Sequence, residues 1–114
     1  GSSLTPLEDG TAVLSFSDYF LCLKAGSTLK IYRRDSITER TLVKSITVDA
    51  SLCDHTLSEV AYAAGASVKV WSYRMNTITA VKNSAGGGGA VKGLLYIGGS
   101  LYIVRSNAIH KYIP

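Results

Sequence analysis

The densest group of reactive side chains in this 114-residue chain is Cys53-Asp54-His55, with Glu59 following shortly after. A thiol, an imidazole and two carboxylates are the parts of a nucleophile activated by a base. In an extended backbone neighbours point to opposite sides, so Cys53 and His55 share one side and Asp54 takes the other. The spacing leaves the base without a group to orient it, and the simpler reading is a polar stretch between repeats with a half-buried cysteine. Zinc held by Cys53, His55 and the distant His110 lacks a fourth ligand at any recognised spacing, so neither a metal nor another cofactor is expected. Cys22 sits in the apolar run Phe20-Leu21-Cys22-Leu23 and forms no redox or metal spacing with Cys53. Two free thiols are expected, with one disulfide as the alternative, and the compartment stays open. His110, opposite in parity to Ile109 and Ile113, reads as a surface histidine.

A second group is basic. Arg33 and Arg34, then Arg74, then Arg105 follow three similar apolar segments, with Tyr73 among them. Arginines in a row with an aromatic can grip carboxylates, phosphates or the faces of bases, or simply keep sheet ends solvated. The candidate binding edge is therefore Arg33, Arg34, Tyr73, Arg74 and Arg105. Twelve Lys and Arg against eight Asp and Glu leave a net charge of +4, too ordinary to single out nucleic acid. A protein partner or a further copy of the chain is the favoured partner, with a glycan as the alternative. Seven tyrosines and Trp71 suit contact surfaces but also favour strands. Tyr32 and Trp71 are expected between repeats, and Tyr73 and Tyr112 on the exterior.

The elements that position these residues recur. Lys24-Ala25-Gly26-Ser27-Thr28-Leu29-Lys30-Ile31-Tyr32 returns as Ala63-Ala64-Gly65-Ala66-Ser67-Val68-Lys69-Val70-Trp71 and as Tyr96-Ile97-Gly98-Gly99-Ser100-Leu101-Tyr102-Ile103-Val104, with marker glycines 39 and 33 positions apart. Such spacings match one supersecondary unit of a repeat architecture. Leu29, Ile31, Val68, Val70, Leu101 and Ile103 fall on one side; Lys30, Tyr32, Lys69, Trp71, Tyr102 and Val104 fall on the other. Alternation with β-branched and aromatic residues is the strand signal. Apolar runs at 19–23, 60–63 and 94–97 precede the glycines, so each copy reads as a hairpin turning on Gly26-Ser27, Gly65-Ala66 or Gly98-Gly99. A further strand follows each hairpin, at 39–48, 77–82 and 108–113. One more precedes each, clearly at 11–16 and faintly near 47–52 and 90–91. Helical patterning is weak; its best stretch, 57–66, is already explained by the repeat. Gly86-Gly87-Gly88-Gly89 reads as a flexible connector, because no Walker-type Lys-Ser or Lys-Thr follows it.

The pattern Leu29-Lys30-Ile31-Tyr32 and Val68-Lys69-Val70-Trp71 resembles the strands of WD40-type β-propeller blades over roughly residues 11–114. It departs from them in two ways: no Gly-His pair opens a blade, and Ser72 rather than Asp follows Trp71. The resemblance implies three degenerate blades, short of the four to eight that close a propeller. The expected class is all-β, with about three repeated antiparallel β-meander units forming a partial β-propeller, or alternatively a β-sandwich or barrel.

Apolar residues at 46% and charged residues at 18% exclude a disordered chain. No apolar run is long enough for a membrane-crossing helix, and the start lacks the pattern of a secretory signal. Residues 1–10, beginning Gly1-Ser2-Ser3, are set aside as a tag remnant or extension, leaving 11–114 as a single all-β repeat domain. The functional expectation is a non-catalytic protein-protein interaction or self-assembly module. The alternative is a receptor- or glycan-binding head of a viral or surface structural protein.

Overall fold

The computed structural model describes residues 11–36, 38–82, 89–106 and 108–114. The N-terminal extension and most of the glycine run lie outside them. The described residues are all-β and form three antiparallel sheets. The first sheet is β1 (Thr11–Phe16), β2 (Phe20–Ala25), β3 (Thr28–Arg34) and β4 (Arg40–Thr47), in that spatial order. The second is β5 (Leu52–His55), β6 (Glu59–Ala64), β7 (Ser67–Ser72) and β8 (Thr77–Val81). The third has only β9 (Val91–Ile97), β10 (Ser100–Arg105) and β11 (Ala108–Lys111). Each strand pairs with its chain neighbour, so every sheet is a meander built from local turns. Residues 57–66 form no helix; most of them are β6. No helix among the described residues could cross a membrane.

The glycine turns work as the backbone requires. Gly26 and Gly65 have φ of 60° and 61° and open two-residue turns of the II′ kind, while Gly98 and Gly99, at 59° and 83°, form an I′ turn. Both kinds match the twist of the strands they join.

The sheets stack, and alternation along each strand decides what each interface contains. Phe20, Cys22, Leu29 and Ile31 of the first sheet pack on Cys53, Val60, Tyr62 and Trp71 of the second. The opposite face of the second sheet offers Ala61, Ala63, Val68 and Val70 to Val91, Leu94, Leu101 and Ile103 of the third. The middle sheet is thus covered on both faces, and full burial of each large side chain there contributes about 1.5–3 kcal/mol.

The third unit differs from its sequence alignment. The first strands of the sheets form a row, β5 lying beside both β1 and β9. β9 runs in the same direction as β5: the Val91 amide donates to the Gly65 carbonyl at one end, and the Tyr96 amide donates to the Asp54 carboxylate at the other. The Gly98-Gly99 turn therefore joins the first and second strands of its sheet, whereas Gly26 and Gly65 turn between second and third strands. Consequently Leu101 and Ile103 face back towards the middle sheet, while Leu29, Ile31, Val68 and Val70 face forward. Residues 90–91 supply the start of β9 and no separate strand, and the first strand of the second unit is 52–55 rather than 47–52. Among the described residues the third sheet has three strands against four in each of the others, with β11 at its edge.

Candidate functional site

Strand alternation puts Cys53 and His55 on the side of the first sheet and Asp54 on the side of the third. Cys53 points into the core shared with the first sheet, where it and Cys22 are buried free thiols. Burial pushes both thiols up, Cys22 to about 12, so neither is a thiolate at neutral pH. Asp54 faces the third sheet, its Oδ2 accepting the Tyr96 amide at 2.7 Å. His55 faces the first sheet, where its Nδ1 and Nε2 hydrogen-bond the hydroxyls of Ser15 at 2.6 Å and Ser17 at 2.5 Å. Burial lowers the His55 pKa, partly offset by Asp54. Both ring nitrogens are occupied, so neither is presented to Cys53 as a base. Glu59 lies near the Tyr96 hydroxyl and, after burial, is the main reason that group's pKa is raised. The serines that hold His55 gave no signal in the sequence, because partners 40 and 38 positions away share no motif with it.

The arginines do not form one edge. Arg33 is half-buried, its guanidinium 5.2 Å from the Phe20 ring, 5.3 Å from Tyr73 and 5.9 Å from Tyr19. It ties the first sheet to the turn after β7, where Phe20, Trp71 and Tyr73 meet edge to face. Arg34 is half-buried, donates to the Ser17 carbonyl at 2.8 Å and lies over Phe16. Arg105 is 5% exposed and donates to the carbonyls of Gly89 and Ala66. Its position in β10 turns it towards the middle sheet, which removes it from the candidate binding edge. Arg74 is exposed, as is Tyr73.

The aromatic expectations divide in the same way. Trp71 is 1% exposed between the first and second sheets, with its Nε1 donating to Asn76. Tyr32 is buried, but on the outer face of the first sheet with Leu21 and Leu23, under Arg40. Tyr112, expected on the exterior, packs against the second core, and His110 is half-buried. The reason is parity: His110 and Tyr112 face inward from β11 and its extension, while Ile109 faces out.

Two kinds of surface remain open. The outer faces of the end sheets carry exposed apolar side chains: Phe16 at 61% with Val13 and Leu42 on the first, Ile97 at 58% and Ile109 at 69% with Leu95 on the third. Beside β11, an open cleft of about 570 Å³ is lined by Thr79, Val81, Lys82, His110, Lys111 and Tyr112, among others, with no carboxylate among its lining residues. Lys82 and Lys111 share no motif in the sequence, because only the stacking of the second and third sheets places both on one cleft. Among the described residues no group of His, Cys, Asp or Glu could hold a metal ion.

No protein-family model matches the chain, and no curated protein matches it. Among solved structures the fold is similar to Kluyveromyces lactis Hsv2 with its complete loop 6CD, at a TM-score of 0.54 and 12% identity over 89% of this chain. The match takes in 32% of that protein, so this chain spans about a third of its length. At that identity the likeness concerns the fold alone.

Proposed function

We propose that the chain is a non-catalytic interaction and self-assembly module whose sheets are propeller-type blades. The observation that carries this reading is the set of apolar side chains left exposed on the outer sides of the two end sheets, Phe16, Val13 and Leu42 around the buried Leu21, Leu23 and Tyr32 on the first, and Leu95, Ile97 and Ile109 on the third. Phe16, Ile97 and Ile109 are 61%, 58% and 69% exposed there. Apolar sheet faces of this kind favour a partner over water. The propeller reading is supported by meanders stacked with their first strands in a row, and by the fold likeness to a chain about three times as long. A second copy continuing the stack is the occupant to test first. Light scattering across a concentration series should show association, and Ile97→Glu and Phe16→Glu should each reduce it. A wild-type chain that stays monomeric to its solubility limit overturns self-assembly.

A further inference from the structure

The slot beside β11 supports an inference separate from the end faces. The Tyr112 amide donates to the Leu101 carbonyl at 2.8 Å, so by alternation the amides of Ile109 and Lys111 point away from β10, along the open edge of the sheet. In the first sheet β4 lies over the core, with Val43 and Ile46 half-buried against it. Its counterpart β8 is exposed from Thr77 to Ala80, and among the described residues the third sheet places no strand opposite it. The result is a strand-shaped opening with backbone groups on one side, Thr79 and Val81 on the other, and Lys82 and Lys111 at its walls.

We propose that this slot takes an extended acidic peptide from a partner protein as a fourth strand of the third sheet. Backbone hydrogen bonds to Ile109 and Lys111 would supply the pairing common to strand addition. Alternate side chains then divide: apolar ones rest on Val81 and Tyr112, and carboxylates reach Lys82 and Lys111. The lining offers only positive or neutral side chains, which selects an acidic strand over a basic one.

The test titrates the full chain into a fluorescein-labelled peptide of alternating valine and glutamate, followed by anisotropy, with alternating valine and lysine as the comparison. The glutamate peptide should bind, more weakly as salt rises, and should slow amide exchange at Ile109 and Lys111. Lys82→Glu combined with Lys111→Glu should weaken binding by about tenfold or more. Ile109→Pro removes one outward amide at an edge position that tolerates proline, and should abolish binding. Circular dichroism checks that this variant folds; if it does not, the charge-reversed variant decides. Ile97→Glu should leave peptide binding unchanged, which separates this slot from the end faces. Equal binding of the lysine peptide, no binding, or protection of the same amides by rising protein concentration alone overturns the proposal.

Discussion

Arg105 reaches across from β10 to the turn between β6 and β7, its Nη2 donating to the Ala66 carbonyl at 3.2 Å. A guanidinium that is 5% exposed and bonded to the carbonyls of Ala66 and Gly89 is a tie between sheets. Arg33 does the corresponding work between the first and second sheets through aromatic rings.

Removing the Arg105 tie should therefore be costly. Arg105→Ala strands two carbonyls and opens a gap, for a loss of about 3 kcal/mol. Arg105→Lys, a point charge without the fork, should recover only part of it. Urea denaturation measures both, and an unchanged midpoint for the alanine variant would sink the assignment.

His55 makes stability depend on pH in a defined direction. Its folded pKa lies below 6.5, so in the window beneath that value the unfolded chain binds the extra proton. Stability from this residue is complete above pH 6.5 and falls as pH drops towards the folded pKa. Denaturation midpoints across pH 4–7 should show that slope, and His55→Gln should flatten it.

The two thiols should resist modification in the native protein. Cys22 and Cys53 are buried with raised pKa values, so labelling by a disulfide reagent should wait for unfolding. The labelling rate should follow the unfolded fraction as urea is added; prompt native labelling of Cys53 would contradict its place in the core.

Gly93 packs directly against Val104. A Cβ at position 93 would lie 3.2 Å from the Val104 Cβ, so Gly93→Ala should cost about 1 kcal/mol by crowding. Adding Val104→Ala should recover the crowding component, a coupling that a double-mutant cycle reads directly.

Much of the architecture was legible. The strand at 11–16, the three glycine hairpins and the strands at 77–81 and 108–111 are local features, set by alternation over a few residues and by turns that need positive φ. The places of the arginines were not legible. Arg33, Arg34 and Arg105 occupy similar places in the sequence, but two of them anchor neighbouring sheets and one holds a turn, according to what each strand faces.

By itself, the sequence determined an all-β chain of repeated meanders, because strand pairing between chain neighbours depends on short-range pattern and turn chemistry. Tertiary packing decided which hairpin of the third unit Gly98-Gly99 forms, and with it the faces of Leu101, Ile103 and Arg105 and the open edge at β11. The physical reason is that a hairpin fits equally well as the first or the second turn of a meander. Only the apolar face it must bury, here against Ala61, Ala63, Val68 and Val70, distinguishes the two.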